Sequence, residues 1–89
     1  MWENGGFSAI TLPENAPVPT IVDRALALES PDSTTTPTHQ ILETRKVDLG
    51  TEYIACRVKL THGGRKIVLL RWLGNAPVIG WWSRVFDAT

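Results

Sequence analysis

Cysteine, histidine and long apolar runs are scarce in this chain, and each scarcity excludes a class of structure. The single cysteine, Cys56, excludes an intramolecular disulfide and any metal site built from several cysteines. The two histidines, His39 and His62, have no metal-ligand spacing and no acidic cluster beside them. The longest aliphatic run, 67–70, is four residues long, whereas a membrane-spanning helix needs about 20. We therefore expect no bound metal and no membrane span.

The beginning of the chain also lacks the features of a secretory signal. Residues 1–3 include an acid and no basic segment, and Pro13 interrupts the next apolar stretch. A lone cysteine fits a reducing compartment. The sequence therefore predicts a soluble, cytoplasmic protein.

Catalytic groups are equally sparse. Cys56 alternates with apolar residues, so it resembles a buried small hydrophobic residue more than a nucleophile with a neighbouring base. His62 lies in a predicted turn and His39 in a polar segment. Gly63-Gly64 is followed by neither a helix nor the lysine–serine pair of a phosphate loop. The sequence predicts no enzyme, no catalytic residue, no cofactor and no small-molecule substrate.

Net charge is zero, but the charges are sorted along the chain. Residues 1–44 hold six acids and one base, a formal charge of −5, and residues 45–89 hold eight bases and three acids, a formal charge of +5. Such asymmetry indicates a charged partner, or two halves that face each other within one molecule or between copies.

The length of 89 residues predicts a single small domain, 1–89. Residues 1–19 contain three prolines and two glycines, which predicts an extended arm with one edge strand near Phe7–Leu12. Residues 20–29 place apolar side chains on one helical face, which favours a short helix, although the β-branched pair Ile21-Val22 leaves a strand as the alternative. Residues 30–38 are polar with two prolines and predict a linker or exposed loop.

From residue 41 onward the sequence is typical of β structure, with a predicted core over 41–86. Strands are predicted near 53–60, 65–72 and 78–86, separated by glycine-containing turns. The predicted fold is therefore mainly β: a small antiparallel meander or barrel-like sheet.

The loop between the first two of these strands decides which side chains share a face. A loop of two or four residues places Ile67 and Leu69 in the core with Cys56, and leaves Lys66 and Trp72 beside Arg57 and Lys59. A loop of three residues reverses the second strand. Val68, Leu70 and Trp72 then join the core, while Arg65, Ile67, Leu69 and Arg71 lie beside Arg57 and Lys59. Either register leaves a face with several bases and aliphatic side chains.

That basic face is the first candidate site. Cations beside aromatic side chains are the combination that single-stranded nucleic acid needs, because cations contact phosphates and rings stack on bases. The alternative is that lysine and arginine stems cover the sheet and pair with the acidic N-terminal half. The balanced charges favour this alternative, since a nucleic-acid-binding domain usually has a basic excess overall.

The adjacent tryptophans Trp81 and Trp82 are the second candidate. Neighbouring strand residues point to opposite faces, so a sheet covered on one face would bury only one of them. The other would then meet an interface, a ligand or the N-terminal arm, and tryptophan is enriched at interaction hot spots. The alternative is a sheet covered on both faces.

The function predicted from the sequence is non-enzymatic protein–protein binding, by self-association or by docking on a larger partner. Small chains without catalytic chemistry are typical of accessory or phage-type proteins that act as inhibitors or adaptors. Single-stranded nucleic-acid binding by the 53–72 hairpin is the second hypothesis. The predicted contact residues lie in the 53–86 meander: Arg57, Lys59, Lys66, Arg71, Trp72, Trp81, Trp82 and Arg84.

Overall fold

The computed structural model describes residues 7–29, 37–62, 64–74 and 79–88. Within these ranges the chain forms five strands and one helix. In chain order they are β1 (Ser8–Ile10), α1 (Val18–Glu29), β2 (His39–Asp48), β3 (Glu52–Leu60), β4 (Arg65–Leu73) and β5 (Gly80–Ala88). The predicted mainly β fold is confirmed, as are the three predicted strands, an edge strand near Phe7–Leu12 and a helix over 20–29. Most of the predicted linker and residues 1–6 of the predicted arm lie outside the described residues.

The strands form one open antiparallel sheet in the order β1-β5-β4-β3-β2. β2 to β5 are a meander, because each of these strands pairs with the next one along the chain. β1 pairs with β5 at the far edge of the sheet. The meander alternative of the sequence prediction is therefore the observed one.

α1 begins two residues earlier than predicted. The carbonyl of Pro17 accepts hydrogen bonds from the N–H groups of Thr20 and Ile21 at 3.0 and 3.2 Å, which closes the first turn. Pro19 is tolerated at the second helical position because the first turn has no internal partners for its N–H groups. Of the prolines that predicted an extended arm, Pro19 therefore lies inside the helix and Pro17 immediately precedes it.

The core lies between α1 and one face of the sheet, which we call the inner face. Ile21, Val22, Ala25 and Leu26 of α1 are all buried. They belong to one cluster with the buried side chains of the sheet, which are Ile10, Cys56, Val58, Val68, Leu70 and Trp81. The apolar alternation of β3 thus faces the helix.

The hairpin between β3 and β4 has the register of a three-residue loop. Leu60 N–H donates to the Gly64 carbonyl at 2.8 Å, and Lys59 lies opposite Arg65. Gly64 has a φ of +79°, which glycine adopts without strain. Cys56 pairs with Val68 and Ile54 with Leu70, so Val68 and Leu70 are in the core. The register expected from a two- or four-residue loop is not the one observed.

Candidate binding surface

The sheet face turned away from α1, the outer face, gathers most of the cationic side chains of the strands. The strand pairing defines its members. They are Ala9 of β1, Gln40, Glu43, Arg45 and Val47 of β2, Tyr53, Ala55, Arg57 and Lys59 of β3, Arg65, Ile67, Leu69, Arg71 and Leu73 of β4, and Trp82, Arg84, Phe86 and Ala88 of β5. Six of these side chains are basic and one is acidic, which gives this described surface a formal charge of +5.

A bulge in β2 brings Glu43 to this face. Ile41 pairs with Val58, but the next pair is Glu43 with Arg57, so Leu42 is an extra residue in the strand. Without the extra residue, Glu43 would lie opposite Cys56 on the inner face, where a carboxylate would be buried at high cost. A β-bulge redirects the side chains that follow it.

Glu43 is shared by two arginines. Its carboxylate lies 2.7 Å from Arg45 and 3.4 Å from Arg57. The hydrogen bond from Arg45, then that from Arg57, lowers the pKa of Glu43. Both arginines are well exposed and Glu43 is partly exposed, so the ion pairs add little stability. Their effect is to hold Arg45 and Arg57 in place on the outer face.

At the end of the outer face near the β3–β4 hairpin, basic side chains lie without an ion pair to any described carboxylate. Lys59 and Arg65 are exposed and lie directly opposite each other on β3 and β4, and neither forms an ion pair with a described acid. Like charges placed opposite each other on a sheet are destabilising. A shallow groove of about 380 Å³, with Arg65 in its lining, adjoins this end. A second groove of about 310 Å³ shares Arg57 and Ile67 with it and extends away from the hairpin to Val47.

The other end of the outer face is covered by aromatic contacts. Phe7 stacks on Tyr53 with a centroid separation of 6.1 Å, and the guanidinium of Arg71 lies 5.9 Å from the centre of the Tyr53 ring. Trp82 lies in the same row as Arg71 and is only 7% exposed. Trp81, on the inner face, is 6% exposed. Both adjacent tryptophans are therefore buried, one on each side of the sheet.

The predicted contact residues are split between the two faces. The outer face holds Arg57, Lys59, Arg71, Trp82 and Arg84. The inner side holds Lys66, Trp72 and Trp81, because β4 has the register of a three-residue loop. The structure therefore does not bring these three residues together with the other five.

The three inner residues have partners within the chain. Lys66 forms an ion pair with Asp87. Trp72 packs against Trp81 with ring centroids 5.6 Å apart, and Trp81 Nε1 donates to the Pro13 carbonyl at 2.9 Å. These contacts hold β5 and the segment after β1 against the rest of the inner face.

The outer face also holds Phe86, which the predicted contact set lacked, and the bulge residue Leu42 lines a groove beside Arg57 and Ile67 of this face. Phe86 is 37% exposed and Leu42 is 41% exposed. Arg84 lies over the ring of Phe86, with 4.8 Å between its guanidinium carbon and the ring centre. The alternation of β5 pointed to Phe86, but Arg45 and Leu42 depend on the bulge, which has no clear signal in the sequence.

The remaining polar groups of the described ranges do not assemble a metal site. No group of three or more histidine, cysteine or acidic side chains able to hold a metal occurs among the described residues. Cys56 is fully buried in the core, and burial raises the pKa of its thiol, with a smaller opposing effect from the Thr44 hydroxyl 3.7 Å away. The His39 ring lies between Asp23 of α1 at 3.0 Å and the Pro37 carbonyl at 2.8 Å, so it links the helix to β2.

Comparison with known proteins adds no assignment. No protein family, curated protein or solved structure matches this chain. Among the described residues, no helix is long and apolar enough to cross a membrane.

Proposed function

We propose that this chain is a small non-enzymatic binding protein that acts through protein–protein contact and docks its outer face on an acidic partner. The observation that supports this proposal is the composition of that face. Six bases and one acid are interspersed with Ile67, Leu69 and the exposed ring of Phe86. Apolar groups of this kind gain free energy when a partner covers them, and the cations favour a partner with carboxylates.

The position of the described part of the acidic half favours a separate partner. α1 lies on the inner face with its acids, so it does not neutralise the hairpin. Glu43 is the only carboxylate that the described residues bring to the outer face. The alternative in which the acidic half covers the basic face is therefore not supported by the described fold.

Self-association through the outer face is disfavoured by its charge. A two-fold dimer places the same patch of both copies in contact. Two faces with a formal charge of +5 would then repel each other across a contact where water is excluded. An acidic partner satisfies the cations without this cost.

Single-stranded nucleic acid is the competing occupant, and the same cationic charge favours it. Most of the described aromatic rings that could stack on bases are, however, buried, on the inner side or packed against another ring. Trp72 and Trp81 lie on the inner side, Trp82 is buried, and Tyr53 is stacked under Phe7. Stacking platforms of accessible rings are what sequence-tolerant single-strand binding uses. A protein partner therefore fits this surface better. The free thiol of Cys56 suits a reducing, cytoplasmic setting.

The test uses a labelled poly-L-glutamate peptide and an oligothymidylate of matched charge at low salt, where screening is weakest. The double variant Arg57→Gln/Arg65→Gln removes two outer cations. The matched control, Arg24→Gln/Lys46→Gln, removes two exposed cations from α1 and from the inner side of β2. We expect the outer variant to weaken polyglutamate binding about tenfold, equivalent to about 1.4 kcal/mol, and the control to leave it within about twofold.

Three results would contradict the proposal. The first is no polyglutamate binding, or equal loss in the two double variants. The second is tighter binding of the oligothymidylate with the same dependence on the outer cations, which would assign the surface to single-stranded nucleic acid. The third is a light-scattering mass that rises with concentration, which would assign it to self-association.

A further inference from the structure

We propose that the groove of about 380 Å³ beside the β3–β4 hairpin, which we call the hairpin groove, anchors the acidic partner by one aliphatic side chain. The side chain is of leucine size and is flanked by carboxylates. This inference rests on the proposed function and names the kind of segment that the outer face recognises. The lining of the groove includes Leu42, Arg57, Arg65 and Ile67.

The first observation is apolar surface in the groove that solvent still reaches. Leu42 is 41% exposed, and Ile67 is only partly buried. Ile67 lies directly between Arg57 on β3 and Phe86 on β5, and the ring of Phe86 is itself 37% exposed. Apolar surface gains free energy when it leaves water. An aliphatic side chain laid in the groove would therefore be stabilised by these neighbours.

The bulge in β2 explains why Leu42 is available. Leu42 is the extra residue between the pairs formed by Ile41 and Glu43, so it has no partner of its own on β3. Cross-strand partners are what normally cover a strand side chain, and bulges often redirect side chains next to functional sites. β2 is also an edge strand of the described sheet, so a partner chain can approach Leu42 from the side.

The second observation is the positive charge around this apolar surface. Arg57 lies opposite Ile67, and Arg65 lies two residues before Ile67 on the same face. Diagonal neighbours of this kind are about 7–8 Å apart, so the two arginines flank the apolar side chain. Lys66 of the lining is paired with Asp87, whereas Arg65 forms no ion pair with a described acid. The charge that remains favours carboxylates at the rim of the groove.

An acidic segment with one aliphatic residue matches both observations. Its apolar side chain would contact Leu42 and Ile67, while neighbouring carboxylates would accept charge-assisted hydrogen bonds from Arg57 and Arg65. Single-stranded nucleic acid supplies anionic groups but no aliphatic side chain of this size. A second copy of the outer face would bring its own cations to the same place. The acidic protein segment is therefore the occupant that we infer.

The test compares two short labelled glutamate peptides that differ only at the central residue, which is leucine in one and alanine in the other. Both peptides carry the same charge, so a difference between their dissociation constants measures the apolar contact. Fluorescence anisotropy at low salt gives both constants. We expect the leucine peptide to bind about tenfold more tightly, because it removes more apolar surface from water.

Leu42→Ala removes part of the apolar wall of the groove. We expect this variant to weaken binding of the leucine peptide about fivefold and to leave the alanine peptide within about twofold. The matched control is Leu49→Ala, which removes the same atoms from a leucine that is 63% exposed in the turn between β2 and β3. This control should change neither constant. Both leucines are exposed, so both variants should keep the melting temperature of the parent protein.

The outcomes separate this site from the proposed function. If the two peptides bind equally and Arg57→Gln/Arg65→Gln weakens both, the aliphatic anchor is refuted while the binding surface remains. If Leu42→Ala leaves the preference for leucine unchanged, the side chain binds elsewhere and the hairpin groove is refuted. If oligothymidylate binds more tightly than either peptide, nucleic acid is the occupant and this inference is overturned. If neither peptide binds, both proposals fall.

Discussion

Gly80→Ala tests the close approach of β1 to β5, which fixes one edge of the sheet. Gly80 is the first residue of β5 and has a φ of +154°, a conformation that side-chain-bearing residues rarely adopt. A Cβ at this position would lie 2.8 Å from the carbonyl oxygen of Ile10. That oxygen belongs to the backbone, so β1 itself must move to relieve the contact. Ile10 is buried in the core and pairs with Trp81.

Two costs contribute to the expected destabilisation. Holding a non-glycine residue in a sparsely populated conformation costs about 1–3 kcal/mol. Displacing β1 also exposes part of Ile10, and complete exposure of such a side chain costs about 1.5–3 kcal/mol. A loss of about 3 kcal/mol is therefore expected, out of about 4–13 kcal/mol for a domain of this length. The melting temperature should fall by about 12–24 °C.

The assay is reversible thermal and urea unfolding, followed by tryptophan fluorescence. Gly50→Ala is the matched control, because Gly50 also has a positive φ, +92°, but has no atom within 4 Å of the added Cβ. It should show the conformational cost alone, about 1–2 kcal/mol. Equal losses in the two variants would refute the close contact between Gly80 and Ile10.

Two further predictions concern the core. Leu70→Ala removes a fully buried side chain and should lower the free energy of unfolding by about 2–5 kcal/mol in urea titration. The control, Leu49→Ala at a position 63% exposed, should change that free energy by less than about 0.5 kcal/mol. Similar losses in the two variants would contradict the described core. The Cys56 thiol should react with a thiol reagent only as fast as the protein unfolds, so rapid labelling of the native state would contradict its burial. Because its pKa is raised above the ordinary 9.0, the unfolded thiol ionises first, and the free energy of unfolding should fall as pH rises through that value.

The strands of the meander could be predicted from the sequence because their signal is local. Apolar and polar residues alternate from Tyr53 to Leu60, and glycine-containing turns separate this segment from its neighbours. The buried position of Cys56 follows from the same alternation. The helix was predicted from the apolar face of 20–29, but its start was not, because Pro17 and Pro19 indicate extended chain as readily as a first helical turn.

The candidate surface was harder to predict because it depends on contacts between strands. The bulge at Leu42 moves Glu43 and Arg45 to the outer face, and only the pairing with β3 reveals the extra residue. The burial of both Trp81 and Trp82 likewise needs the packing on each side of the sheet. Local sequence gives the direction of alternate side chains but not what covers them.

The sequence by itself determined that the chain is mainly β, with successive antiparallel strands over 53–86, and that its bases are concentrated in the second half. Tertiary structure decided which of those bases share a surface. Gly63 and Gly64 are compatible with loops of two, three or four residues, since glycine accepts the backbone conformations that each requires. The side chains of a strand alternate with a period of two, so a change of one residue in the loop exchanges the faces of β4. The observed register buries Val68 and Leu70 and leaves Arg65 and Arg71 on the outer face, because that choice places the apolar side chains against the helix.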